Sequence, residues 1–104
     1  MDSVKFNKIL DKLLEQSEEG KIEWKKTASL HTYLLNLEGS SISILYFAGT
    51  IIFSFRNENG ETVEQKALSS GNPNYPTAQK LYNLIDTKLS RAEETIDRIL
   101  KQLS

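Results

Sequence analysis

The chain has 104 residues, 38% of them hydrophobic and 26% charged, and this balance predicts one folded domain rather than a disordered segment. Its 13 Lys and Arg residues nearly cancel its 14 Asp and Glu residues, so the net charge of −1 provides no field to attract nucleic acid or an anionic membrane. The absence of cysteine excludes disulfides and thiolate chemistry and suits a reducing compartment. No apolar run approaches the roughly 20 residues of a membrane span, so we expect a cytoplasmic protein.

The first predicted element is an amphipathic helix near the start of the chain. Asp2 or Ser3 can cap it, and apolar residues from Phe6 to Leu14 recur at helical spacing. Charged residues occupy the positions between them, as on the solvent side of a surface helix. We expect this helix to end at Gly20.

A period of two replaces the helical period after Lys21, which predicts β-strands rich in aromatic and β-branched residues. The predicted strands are Ile22 with Trp24, Leu30 to Leu37, Ser41 to Ala48, Thr50 to Arg56 and Glu61 to Ala67. Short turn signals separate them, and short connections join antiparallel neighbours. The simplest topology is therefore a five-stranded antiparallel meander.

Hairpin loop lengths predict how the strands pair. A two-residue loop at Ala48-Gly49 sets Ile44 opposite Phe53 and leaves their apolar neighbours on one face. At the last turn we expect a three-residue loop with glycine in the left-handed conformation, which pairs Val63 with Phe55. The sheet then has one strongly apolar face for helices to cover.

The last third of the chain carries apolar residues at alternating spacings of four and three, from Ala78 to Leu103. This pattern favours one continuous helix of roughly 40 Å, although Ser90 and Glu93 also form a capping box that could begin a second helix after a kink. Beyond Leu89 the apolar seam narrows. Its residues are Ala92, Ile96, Ile99, Leu100 and Leu103. This seam could pack on the first helix or on the same seam of another copy.

Together these elements predict an α+β fold of one domain spanning residues 1–104. Its architecture is a five-stranded antiparallel meander with the N- and C-terminal helices packed on one face, in the order α-β-β-β-β-β-α.

This order of elements resembles a group of small bacterial domains with an N-terminal helix, a β-meander and a C-terminal helix. The similarity rests on the helix Phe6 to Leu14, the segment Gly20 to Trp24 entering the sheet, the turn Asn59 to Glu61, and Leu81-Tyr82 at the opening of the last helix. It covers nearly the whole chain. The group has no established activity, so the resemblance implies a fold and not a function.

No residue pattern predicts a catalytic, cofactor-binding or metal site. His31 is the single histidine, and neither a Ser-His-Asp nor a Cys-His arrangement accompanies it. The carboxylate clusters Glu18 to Glu23 and Glu93 to Asp97 are more typical of solvated faces than of metal or acid–base sites. We therefore expect no cofactor, and an enzyme is the weakest of the functional hypotheses.

Four side chains on the helix-covered face form a candidate pocket for a metabolite or nucleotide. They are Trp24, His31, Tyr33 and Tyr46. Their rings could stack on a ligand and supply hydrogen bonds. Aromatic residues at strand spacing on a covered face are more often core residues, so this small-molecule function is the alternative hypothesis.

The opposite face of the sheet, which we call the back face, also carries apolar residues, and no third helix remains to cover it. A large apolar patch in water indicates a partner, unless the sheet curls into a barrel that buries it. The candidate interface residues of the back face and the C-terminal seam are Leu34, Leu45, Phe47, Ile52, Ile96, Ile99 and Leu103. We favour the back face of these two surfaces, because the first helix is available to cover the seam. The main hypothesis is a non-catalytic interaction or regulatory module that forms a homodimer or binds a larger protein.

Overall fold

The computed structural model describes the backbone of residues 1–104 and the side chains of residues 1–90 and 94–104. Its elements in chain order are α1 (Ser3–Glu18), β1 (Lys25–Lys26), β2 (Thr32–Leu37), β3 (Ser40–Phe47), β4 (Thr50–Arg56), β5 (Thr62–Leu68), α2 (Tyr75–Leu89) and α3 (Arg91–Leu103). The strands form one antiparallel sheet in the order β1-β2-β3-β4-β5, with every pair of neighbours adjacent in sequence. The predicted α+β class and five-stranded meander are confirmed.

Helix α1 begins and ends where its capping residues predict. The Asp2 carboxylate accepts a hydrogen bond from the Lys5 backbone N–H at 2.8 Å and so caps the first turn. At the other end Gly20 adopts a φ of 71°, and the Lys21 N–H donates to the Gln16 carbonyl at 2.9 Å. A left-handed glycine closing a helix in this way is the Schellman arrangement, which favours glycine because it lacks a Cβ.

The central strands pair in the predicted register, and their shared apolar face forms the core. Ile44 lies opposite Phe53, and both side chains, like that of Ile51, are fully buried. Phe6 of α1 packs edge-on against Phe53 with the ring centroids 5.6 Å apart. Helices α1 and α2 thus cover one face of the sheet, as a two-layer α+β architecture requires.

The last hairpin differs from its prediction by a single β-bulge. Arg56 pairs with Thr62, as a three-residue loop requires, but Phe55 then pairs with Glu64 instead of Val63. The prediction for Val63 is wrong because loop length fixes the register only along an unbroken ladder, and a bulge inserts one residue on one strand. The side chain of Val63 is 60% exposed as a result.

The first strand is shorter and begins later than predicted. Its ladder contains only Lys25 and Lys26, which pair with Leu34 and Tyr33. Trp24 precedes the ladder, and its buried indole Nε1–H donates to the Ser17 hydroxyl of α1 at 3.0 Å. This contact between α1 and the sheet explains why an aromatic residue stands just outside the strand.

The C-terminal region forms two helices, so the prediction of one continuous helix is wrong. Ser90 lies between α2 and α3 in an extended conformation, with φ −60° and ψ 134°. Serine competes with helical hydrogen bonding in a helix interior but is favoured at an N-cap, and the heptad spacing of apolar residues does not reveal such a local break.

Of the two alternatives for the C-terminal seam, packing on α1 is not what the structure shows. Helix α1 packs against α2, whereas the described side chains of α3 make no extensive contact with any other helix or strand. The molecule measures 53 × 33 × 27 Å, which reflects the projection of α3 from the body of the domain. Within the described residues, no helix combines the length and apolar character that crossing a bilayer requires.

Candidate interaction surfaces

Helix α3 presents one continuous apolar surface to solvent. Its four large apolar side chains are between 49% and 80% exposed. We call them the α3 stripe: Ile96, Ile99, Leu100 and Leu103. The spacings of three and four place them on one side of the helix. The Lys26 ammonium forms an ion pair with the Glu94 carboxylate and ties the start of α3 to β1. This contact lies on the side of α3 opposite the stripe and does not cover it.

The charged side chains of α3 have a definite arrangement around this stripe. At 100° per residue, Asp97 lies beside Leu100 at the border of the stripe. Glu94, Arg98 and Lys101 project from the opposite side of the helix. Among the described side chains of α3, the one charged group that borders the stripe is therefore negative.

The back face of the sheet is the second predicted surface, and the structure leaves it open. Strands β1 and β5 form the two edges of the sheet and do not pair, so the barrel alternative is wrong. Leu45 lies opposite Ile52 and Leu34 opposite Ser43. The side chains of Leu34, Leu45 and Ile52 are half-buried, and that of Phe47 is 69% exposed.

Polar groups interrupt this back face. Ser43 and Ser54 are buried between the apolar residues of adjacent strands, and the Gln65 side chain donates to the Ser54 hydroxyl at 3.0 Å. The back face is thus a mixed surface on which Phe47 is the strongly exposed apolar side chain, whereas the α3 stripe is apolar throughout.

A groove of about 770 Å³ lies on the helix-covered side, between α1 and the turns that end β2 and β4. Its apolar lining includes Ile9, Leu13, Leu35, Leu37, Ile42, Phe55 and Val63. Leu37 and Val63 are 44% and 60% exposed, so part of this lining is in contact with solvent. The charged residues that line it are Lys8, Lys12 and Arg56, all of them positive. We call this feature the basic groove.

The sequence did not predict the basic groove. Leu37 and Val63, its exposed apolar residues, fall on the face predicted to be covered by helices. Alternation of apolar and polar residues predicts which face of a strand is covered, but not how far along the strand the covering helix extends. The bulge beside Phe55 exposes Val63, and no feature of the sequence signals that bulge.

A polar cluster joins the end of α2 to β2. The Tyr33 hydroxyl donates to Asp86 Oδ1 at 2.5 Å, and the Tyr82 hydroxyl lies 3.4 Å from the same oxygen and 3.3 Å from His31 Nδ1. Burial, followed by the negative charge of Asp86, raises the pKa of the Tyr82 hydroxyl to about 12. The Tyr82 hydroxyl therefore stays protonated, and the cluster fixes α2 on the sheet. A cleft of about 400 Å³ adjoins it.

The four residues of the predicted ligand pocket do not line one cavity. His31 and Tyr33 line the cleft beside Asp86, whereas Trp24 borders a separate cleft at the end of α1. The ring of Tyr46 packs on Tyr82 with the centroids 5.4 Å apart. His31 and Tyr33 therefore lie together, whereas Trp24 contacts α1 and Tyr46 contacts α2.

The predicted carboxylate clusters lie at the surface of the domain. Glu18 pairs with Lys80 at 3.7 Å across the two packed helices. Among the side chains that the structure describes, no three His, Asp or Glu residues converge as a metal site would require. Glu93 lies outside the described side chains.

Comparisons of the chain with protein-family models, curated proteins and solved structures found no match. The resemblance to small bacterial domains stays a prediction.

Proposed function

We propose that the protein is a non-catalytic interaction module that acts through α3, by self-association or by binding a larger protein. The observation that carries this proposal is the α3 stripe, whose four side chains are about half exposed or more in a domain that already has a complete core. Monomeric proteins rarely leave such a surface in water unless it binds something.

The length of α3 supports the same proposal. The helix has 13 residues, and an isolated helix of this length is marginally stable in water. Contact with another surface would cover the stripe and stabilise the helix at the same time. The mixed composition of the back face makes it the weaker of the two candidate surfaces, which reverses the preference drawn from the sequence.

The small-molecule alternative has less support. The cleft beside Asp86 offers hydrogen-bonding groups, but only His31 and Tyr33 of the four predicted residues line it. A thermal-shift screen with nucleotides and metabolites tests it, because a ligand at 100 times its dissociation constant stabilises the fold by about 2.7 kcal/mol. A bacterial, cytoplasmic setting remains part of the proposal, and the absence of cysteine from the chain is compatible with a reducing compartment.

Light scattering after size-exclusion chromatography, from about 1 to 100 μM, tests the self-associating form of the proposal. We expect the wild-type mass to rise with concentration and Ile96→Asp, which places a charge in the stripe, to abolish the rise. Arg98→Glu, on the opposite side of α3, is the matched control and should associate like the wild type.

A wild-type mass that stays monomeric, together with a loss of folding stability in Ile96→Asp, would contradict the proposal. That pair of results would mean that the stripe packs within its own chain. Circular dichroism of each variant shows whether a change in mass reflects dissociation or unfolding.

A further inference from the structure

The α3 stripe and the basic groove are two apolar surfaces of the same chain, and their shapes are complementary. The stripe is a convex row of aliphatic side chains on a projecting helix. The groove is a concave apolar surface with Leu37 and Val63 exposed along it. An amphipathic helix lying in an apolar groove is a common mode of protein recognition.

The charges around the two surfaces are complementary. Lys8, Lys12 and Arg56 are the charged residues lining the groove. Asp97 borders the stripe, while Arg98 and Lys101 project from the far side of α3. A helix docked by its stripe would bring a carboxylate to a positive rim and keep its own cations in solvent, which favours this pairing over pairing of two stripes.

From these observations we infer that the basic groove of one copy binds the α3 stripe of a second copy, and that the exchange is reciprocal. This inference rests on the proposed function and names the partner as the chain itself. Reciprocal exchange forms a closed twofold dimer in which each groove and each stripe is used once. Reciprocal exchange also buries two copies of the 13-residue helix instead of one. The buried area is then twice that of a single helix contact and comes closer to the roughly 1,600 Å² of a standard interface.

Ser90 provides the geometry that the exchange needs. Its extended conformation separates α2 from α3 and lets α3 leave the domain that carries it. One extended residue between two helices is a short hinge, and short hinges favour exchange of an element between copies over its return to the same copy.

Cross-linking tests the inference cleanly because the chain has no cysteine of its own. Val63→Cys places a thiol in the groove, and Ile99→Cys places one in the stripe. The two single variants, one of them carrying an affinity tag, are mixed at about 100 μM and treated with a short bis-maleimide. We expect a linked heterodimer that contains one chain of each variant. Phe47→Cys, on the back face, is the matched control and should not link to Ile99→Cys.

Charge reversal provides a second, independent readout. Asp97→Lys should raise the dimer dissociation constant about tenfold, because it replaces attraction at the groove rim with repulsion. Lys12→Glu in the same chain should restore most of the affinity, whereas Arg98→Glu in place of Lys12→Glu should restore none. Lys12 forms only a long surface ion pair with Glu15, at 3.9 Å, so its reversal leaves the fold intact.

The failure of this inference is distinguishable from failure of the proposed function. A dimer that links only Ile99→Cys to itself, or Phe47→Cys to itself, would overturn the groove assignment and leave an interaction module. A monomer at every concentration, with an intrachain link in the double variant Val63→Cys/Ile99→Cys, would overturn both.

Discussion

Ser17 and Trp24 join the end of α1 to the start of the sheet through one buried hydrogen bond of 3.0 Å. Ser17→Ala leaves the indole N–H buried without an acceptor, and we expect it to lower the free energy of unfolding by about 1–3 kcal/mol. Urea denaturation followed by far-ultraviolet circular dichroism, a signal that does not depend on Trp24, measures the change.

The same substitution in a second background separates the hydrogen bond from other effects of Ser17. In a Trp24→Phe variant the hydrogen-bond donor is absent, so Ser17→Ala should lower the free energy of unfolding by much less. Ser70→Ala, at an exposed position, is the control for the substitution itself. Equal losses from Ser17→Ala in both backgrounds would contradict a role for this bond.

Ala48 is strained by the turn between β3 and β4. It has a φ of 50° next to Gly49 at 79°, and a residue with a Cβ pays about 1 kcal/mol for the left-handed conformation. Two-residue turns of this kind favour Asn-Gly. We expect Ala48→Asn to raise the free energy of unfolding by about 0.5–1 kcal/mol in urea denaturation. Ala28→Asn, in an exposed loop without a positive φ, should give no gain.

Tyr82 makes stability depend on pH at the alkaline end. Its pKa rises from 10.0 to about 12 on folding, so its contribution is fully present below about pH 10 and is lost as the pH rises toward 12. We expect the free energy of unfolding to fall across that interval, and to fall less steeply in Tyr82→Phe, which has no proton to lose. Equal slopes for both proteins in denaturant titrations would contradict the burial of the Tyr82 hydroxyl beside Asp86.

Ser90 is the residue that divides the C-terminal region into two elements. Ser90 directly precedes α3 and so occupies its N-cap position. Ser90→Ala removes the side chain type that favours this position and should lower the stability of α3 by about 1 kcal/mol, while Ser90→Asp keeps a capping side chain there. Helical circular dichroism and amide exchange of residues 94–104 measure the difference, with α2 as the internal reference. A gain in helicity in Ser90→Ala would instead show that alanine fuses the two helices.

Periodicity and loop length predicted the helices, the strands and most of the strand pairing. The fold class, the meander and the pairing of Ile44 with Phe53 follow from alternation and a two-residue turn. The bulge at Val63 was not predicted, and the break at Ser90 was only the less favoured alternative to a continuous helix, because each depends on one residue whose local preference competes with a continuous pattern. Those two departures expose Val63 in the basic groove and direct α3 away from the domain.

The candidate site was predicted in part. The residues of the α3 stripe and of the back face were identified from spacing, and the structure places Ile96, Phe47 and their neighbours at the surface. The basic groove was not predicted, since Lys8, Lys12 and Arg56 come from elements far apart in sequence. Only the packing of α1 across the sheet brings them together, and no local pattern encodes where a helix lies on a sheet.

The protein consists of a compact body and the projecting helix α3. The longest dimension of 53 Å exceeds the next, 33 Å, because α3 extends from the edge of the sheet at β1. Exposure of the apolar stripe to water is unfavourable in the monomer. Binding of each α3 in the groove of the other copy would bury the stripe and remove this unfavourable exposure. Association and the ordering of α3 should therefore occur together.

Amide hydrogen exchange of α3, measured at about 1 μM and about 100 μM, tests this coupling most directly. The account predicts that the amides of residues 94–104 become protected at the higher concentration, in step with a doubling of the mass, while those of α1 keep the same protection at both. Exchange in α3 that is equally fast, or equally slow, at both concentrations in a protein of constant monomeric mass would contradict it.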